Sequence, residues 1–255
     1  MRREQDKVSK WLIDHIVNSS LSYRNKMLNI ILFRIYNRIE TGELLNLPID
    51  FDENFNPEDY RMICSKKFKY YTSVFNTIVF MSTMANYSPN GAETLRSLNP
   101  FWFIKYLIDT EFVEKYLSPE HLKDKTPLYV FDKLTSLNCI GRFYAYQFFM
   151  DFTYVDDFPF SENYFVMAGP GCEAGEKILF KDFDGLSLEE ALIWLTEKLN
   201  RELDFSLIFS DLPEHDQKMN LACIENCFCE FYKYYKFKTG TGKIRNRYPG
   251  VLKKI

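Results

Sequence analysis

Apolar side chains recur at three-to-four-residue spacing along almost the whole chain, and runs of strict alternation are scarce. That period belongs to helices, so the sequence predicts helices packed on helices with no βαβ unit. Val8, Leu12, His15 and Ile16 form one stripe. Met27, Ile30, Ile31, Arg34 and Ile35 form a second, in a helix predicted to stop near Gly42. Asn56-Pro57-Glu58-Asp59 reads as a helix start, with a capping side chain, a proline in the first turn and early acids. Further helices are predicted at about 69–84, 93–108, 126–138, 142–155, 187–203 and 213–236. Thr126-Pro127 and Leu212-Pro213 open two of these, and Ser187-Leu-Glu-Glu190 is a capping box. The fold class expected is all-α, with a helical domain over residues 1–236 and a basic C-terminal arm over 237–255 that belongs to the same unit.

Composition supports a folded core: 46% of the 255 residues are apolar, which excludes a disordered chain. The 24 Phe and 17 Tyr read mainly as core filler. No stretch approaches the roughly 18 apolar residues of a membrane span, and the N-terminus lacks a signal peptide's apolar run, so a cytoplasmic protein without a membrane partner is expected. Six cysteines without close pairing fit reduced thiols. Charge is uneven. Residues 233–255 carry eight Lys or Arg and no acid, so the net −3 of the chain leaves −11 (−3 − 8) on the first 232. A basic end containing Lys233, Lys243, Arg245 and Arg247 on an acidic body points to an anionic partner, nucleic acid first.

Val166-Met-Ala-Gly-Pro-Gly-Cys-Glu-Ala-Gly-Glu-Lys177 resembles a phosphate loop only superficially. A Walker loop needs Gly-Lys followed by a hydroxyl, whereas Lys177 stands two residues after Gly175 and Ile178 follows it. What remains is a tight Gly169-Pro170-Gly171 turn ahead of a helix, suited to holding a phosphate or base edge or simply to connecting two helices. Cys223, Cys227 and Cys229 share one predicted helix, but Cys229 is rotated about 200° from Cys227, so no zinc is expected there. Neither a metal nor a cofactor is called for.

Leu137-Asn-Cys-Ile-Gly-Arg-Phe143 breaks one helix and begins another, the outline of a helix-hairpin-helix whose amides meet DNA phosphate, or of an ordinary helical hairpin. In the second helix Tyr144, Gln147 and Asp151 share a stripe. Gln offers a donor and an acceptor for a pyrimidine edge, and Asp offers a base. Ser161-Glu162-Asn163 brings a carboxylate towards the glycine turn. Arg34, Asn37 and Thr41 make another polar stripe, as do Asn226, Glu230 and Lys233. Each stripe taken singly is also the pattern of a solvated helix face.

Four blocks in order carry a family resemblance: Asn29-Ile-Ile-Leu-Phe-Arg-Ile-Tyr-Asn-Arg-Ile-Glu-Thr41; Cys139-Ile-Gly-Arg-Phe-Tyr-Ala-Tyr-Gln-Phe-Phe-Met-Asp-Phe152; Phe160-Ser-Glu-Asn-Tyr-Phe-Val-Met-Ala-Gly-Pro-Gly-Cys-Glu-Ala-Gly175; and Ile224-Glu-Asn-Cys-Phe-Cys-Glu-Phe-Tyr-Lys-Tyr234 with Gly240-Thr-Gly-Lys-Ile-Arg-Asn-Arg-Tyr248. Together they resemble the DNA base hypermodification proteins, namely the helical domain of 5-hydroxymethyluridine DNA kinases and the alpha-glutamyl/putrescinyl thymine pyrophosphorylases. The resemblance implies a fold related to the helix-hairpin-helix DNA glycosylases, phage or anti-phage biology, and chemistry on a modified pyrimidine in DNA. It implies that Gly141 and Arg142 face DNA and that Gln147 and Asp151 face a base pocket. Glu162 then stands at the pocket's edge, Gly169, Pro170 and Gly171 form a wall, and Glu230, Lys233, Arg245 and Arg247 complete the site or grip phosphates. At Tyr164 the chain departs from the family pattern, which places an Asp there.

Three functions follow as expectations. The first is an enzyme that extrudes a 5-hydroxymethyluracil-type base from double-stranded DNA and performs group transfer or displacement at C5. Asp151 or Glu162 serves as base in that reading, with Glu230 completing the site. Gln147 reads the base edge, Tyr144 or Tyr146 stacks on it, and Arg34, Asn37 and Asn163 line the site. The second is a glycosylase excising a modified base, against which Tyr164 counts. The third is a non-catalytic DNA-binding partner of a separate P-loop kinase.

Overall fold

The computed structural model describes residues 3–66, 75, 95, 97–180, 185–210 and 217–242. Among them every regular element is helical, as the periodicity predicts. The contacts divide the chain into one unit of Arg3–Phe165 and a second that begins at Val166.

The first unit is organised around a helix with no wet face. Helix α1 (Lys7–Leu12) runs into a π-helical turn, Ile13–Val17, and α2 (Tyr23–Tyr36) follows. Ser22 caps α2 by accepting from the Asn25 N–H, and every residue from Met27 to Tyr36 is buried. A helix buried all round must satisfy its polar side chains internally. Asn29 does so by clamping the loop after α3 (Ile39–Leu44): its amide donates to the Ile49 carbonyl at 2.7 Å, and its Oδ1 accepts from the Ile49 N–H at 2.8 Å.

Helix α2 ends earlier than predicted. Asn37 takes a left-handed conformation at φ 48° and stops it, so the stripe towards Gly42 is split between α2 and α3. Gly42 ends no helix; a Cβ there would come within 2.5 Å of the Trp11 ring, so the glycine makes room for the indole. Trp11 in turn stacks on Phe33 with ring centroids 4.6 Å apart.

A short 3₁₀ turn, Pro57–Tyr60, opened by Asn56 as predicted, leads into α4 (Arg61–Lys66). The helix predicted at 69–84 lies outside the described residues. Next come α5 (Asn99–Asp109), α6 (Phe112–Tyr116), α7 (Pro119–Leu122), α8 (Pro127–Thr135) and α9 (Arg142–Phe152). Thr126 caps α8 through the Tyr129 N–H. Helix α9 packs on α2 and α8, and all its residues from Tyr144 onward are buried. Phe149 sits edge-on to Phe158 and Phe165, so the phenylalanines here fill the core with favourable T-shaped geometry.

The second unit holds α10 (Pro170–Leu179), α11 (Leu188–Glu202) and α12 (Leu221–Lys238). Ser187 and Glu190 form the predicted capping box. Leu212-Pro213 lies outside the described residues; α12 is opened by Asn220, whose side chain accepts from the Cys223 N–H. The glycines that imitate a phosphate loop are packing residues. A Cβ on Gly171 would stand 2.7 Å from Cys229 Sγ, and one on Gly175 would stand 2.4 Å from the Phe228 carbonyl oxygen. The four-residue spacing puts both on one face of α10, where the two backbones meet.

Gly175→Ala is therefore expected to force α10 from α12. The helix-propensity gain of about 1 kcal/mol is outweighed by overpacking against backbone, for a net destabilisation of about 2 kcal/mol in urea denaturation.

Candidate functional site

The polar stripe of α9 and that of α2 meet inside the first unit. Arg34 grips the Asp151 carboxylate side-on, Nε to Oδ2 at 2.5 Å and Nη2 to Oδ1 at 2.8 Å. Its remaining donors reach Asn37 Oδ1 at 2.7 Å and Ser9 Oγ at 3.3 Å. From the other side Arg3, in a short 3₁₀ turn (Arg3–Gln5), donates to Asp151 Oδ1 at 2.9 Å and to Gln147 Oε1 at 2.7 Å. Asp151 is wholly buried, and the two arginine side chains are 9% and 3% exposed. Burial is the largest single influence on Arg3 and works to lower its pKa, but the charge and hydrogen bond of Asp151, with Tyr154 and Tyr146, together outweigh it and the shift is upward.

Sequence reasoning thus selects four residues that the fold brings together: Arg34, Asn37, Gln147 and Asp151. Their chemistry differs from the expectation. Both oxygens of Asp151 already accept charge-assisted bonds, which makes it an anchor for two guanidiniums in this arrangement and not a base facing solvent. Tyr144 and Tyr146 are buried on the same helix, with the Tyr144 hydroxyl pushed up to about 12 by burial. Glu162 is half-buried in the loop after α9, Asn163 is exposed, and Tyr164 is 67% exposed. Gly141 caps α9 at φ −84° with open space where a Cβ would go, and Arg142 beside it is exposed. The left-handed residue of that hairpin is Cys139, at φ 67°.

In the second unit the Gly169-Pro170-Gly171 turn opens α10 and is held by carboxylates. The Ala168 N–H donates to Glu189 and the Gly169 N–H to Glu225, both at 3.3 Å. Glu176, 1% exposed on α10, lies among the same groups. Burial foremost, with Glu189, Glu225 and Glu173 adding to it, pushes its carboxyl up to about 7. Neighbouring Cys172 is raised by the same burial and the same glutamates. Among the described residues no group of His, Cys, Asp and Glu is placed to hold a metal ion. Glu230 and Lys233 pair with each other at 2.5 Å on the exposed side of α12. Lys243, Arg245 and Arg247 lie outside the described residues.

Arg3 and Glu176 were missed by sequence reasoning. Arg3 precedes any helical pattern and meets partners 144 and 148 residues away. Glu176 had a weak signal: an acid on the glycine-bearing, core-facing side of a short helix.

Two outcomes follow. Asp151→Asn leaves two buried guanidiniums without their counter-charge and is expected to destabilise the chain by about 3 kcal/mol in chemical denaturation. Glu176, raised above its ordinary 4.5, holds a proton in the folded chain that the unfolded chain releases. Stability therefore falls as pH rises from 4.5 towards about 7, by up to about 3 kcal/mol in all. Glu176→Gln is expected to flatten that slope in thermal midpoints measured across the range.

The family resemblance of the sequence blocks agrees with comparison to known proteins. The family model for the helical domain of 5-hmdU DNA kinase matches residues 1–243. The 5-hmdU DNA kinase of Bacillus phage SP10 is 24% identical over 250 residues, covering 92% of this chain and 38% of that protein. The chain thus spans well under half the length of that relative. No solved structure matches it. Among the described residues no helix is long and apolar enough to cross a membrane. On a match that runs through all the described helices, the chain belongs to the family of 5-hmdU DNA kinase helical domains.

Proposed function

We propose that this chain engages DNA carrying a 5-hydroxymethyluracil-type base, extrudes that base, and serves group transfer or displacement at its C5 substituent. The observation that carries the reading is the family match over residues 1–243, joined to a phage relative named for a kinase of the same modified nucleoside. Extrusion is required because a stacked base cannot be enclosed by a pocket, and it costs a few kcal/mol. Arg142 on the α8–α9 hairpin and the basic residues from Lys243 onward repay that cost through phosphate contacts, which makes binding steeply salt-dependent. A buried, preformed polar layer suits this task, since Arg34, Asn37 and Asp151 are already fixed by one another and Arg3 ties Gln147 to Asp151.

One observation favours a second reading, in which the chain holds the base for a separate kinase and performs no chemistry itself. Asp151 is wholly buried with both oxygens on guanidiniums, an arrangement that lowers its basicity and keeps it from a substrate proton without rearrangement. The same burial disfavours base excision by Asp151, which needs a carboxylate facing the sugar cation.

Incubating the chain with 5-hydroxymethyluracil-containing DNA and nucleoside triphosphates, then digesting the DNA for mass spectrometry, separates the readings. The first expects a mass change confined to the modified nucleoside. An unchanged nucleoside alongside salt-dependent DNA binding selects the second, and absence of DNA binding overturns both.

A further inference from the structure

The C-terminal half of α12 is uncovered. From Phe231 to Lys238 the sequence runs Phe-Tyr-Lys-Tyr-Tyr-Lys-Phe-Lys, and none of these residues is buried. Tyr234, Tyr235 and Phe237 are 59%, 39% and 49% exposed. Rings left in water along two helical turns are not core filler and mark a contact surface. The segment has no acid and no aliphatic side chain. Lys233 is matched by Glu230, whereas Lys236 lies 4.3 Å over the Tyr232 ring and, like Lys238, pairs with no carboxylate among the described residues. The helix end is also fixed in shape. Gly240, left-handed at φ 71°, turns the chain, and the Thr241 and Gly242 N–H groups donate to the Lys236 carbonyl at 2.9 and 3.0 Å. A Cβ on Gly242 would stand 2.9 Å from Lys236 Cβ, so the chain returns closely against the last turn.

We infer that residues 231–238 form a stacking surface for an unpaired DNA strand, with bases on Tyr234, Tyr235 and Phe237 and phosphates on Lys236 and Lys238. On the proposed DNA reading, on which this rests, extrusion leaves nucleotides unpaired, and this surface takes them. The order of side chains around the helix favours a strand over other partners. At about 100° per residue, Lys233, Phe237, Tyr234 and Lys238 follow one another around roughly 140° of the circumference. Rings therefore lie between cations, as bases and phosphates lie together along a single strand. A helix that rests on a membrane instead gathers its apolar residues on one face and its lysines on the other. Protein interfaces exclude lysine from their centres, whereas three of these eight residues are lysine. Stacking asks only for a π-face, so the surface accepts any base sequence. A duplex keeps its bases stacked on one another and withholds them from these rings.

The test uses the full chain and fluorescence anisotropy on a labelled oligothymidylate and on a duplex of equal length. Wild type is expected to bind the single strand, and Tyr234→Leu or Phe237→Leu to weaken that binding about tenfold. Both side chains are exposed, so the thermal midpoint is expected to hold and loss of binding is not loss of fold. Tyr234→Phe, which keeps the ring, is expected to bind as wild type does, whereas a merely apolar contact tolerates leucine equally. Lys238→Gln is expected to lower the slope of log affinity against log salt by about 0.7. Single-strand binding unchanged in both leucine variants overturns the assignment. Duplex binding without single-strand binding also overturns it and leaves the DNA reading standing. Binding to phosphatidylserine vesicles that the leucine variants weaken, with the single strand unbound, overturns it in favour of a membrane surface. Failure to bind either single strand or duplex overturns the assignment and the DNA reading together.

Discussion

One carboxylate, Asp151, fixes the polar interior of the first unit. Buried on α9, it accepts from Arg34 on α2 and from Arg3 ahead of α1, and so ties three distant stretches of chain into one register. A buried ion pair adds little net stability over an apolar core of the same shape, because desolvation offsets most of the Coulombic attraction. What it does enforce is uniqueness. Any sliding of α2 against α9 strands a guanidinium or a carboxylate in a medium that cannot solvate it. The surrounding apolar residues, Phe33, Phe148, Phe149 and Phe152, supply the burial energy, and the charges select which packing is allowed.

The second unit is held by a different device. Gly171 and Gly175 bring α10 against the backbone of α12, and the turn ahead of α10 is pinned by glutamates from α11 and α12. Close approach concentrates acids around Glu176 without a matching guanidinium among its principal influences, and the fold meets this by keeping a proton on that carboxyl near neutrality. The two units thus solve the same problem of buried acid in opposite ways, by counter-charge in one and by protonation in the other.

Local signals were legible in the sequence and distant partners were not. Asn56, Thr126 and Ser187 announce helix starts because the capping bond spans only two or three residues. The end of α2 was misplaced because Asn37 and Gly42 are both plausible stops; only tertiary packing shows that Gly42 answers to Trp11. Gly141 drew attention as the hairpin glycine, yet the left-handed residue there is Cys139, which no composition rule favours. The stripes Arg34–Asn37 and Gln147–Asp151 carry the same spacing as solvated faces. What distinguishes them is that each finds its partner on the other, 117 residues away for Arg34 and Asp151. Arg3 had no local pattern at all.

The bonds that hold Asp151 and Gln147 act through geometry more than through charge. Arginine ordinarily surrenders several rotamers when it binds a ligand, a cost that reduces affinity and blurs direction. Here Arg3 has paid that cost in the resting fold, because its two Nη groups are fixed on α9. Its guanidinium is therefore held in one orientation against α9. A polar layer whose members are already held by one another keeps one shape for whatever meets it. In that arrangement the conspicuous polar stripe of α9 is a frame that joins the start of the chain to α2.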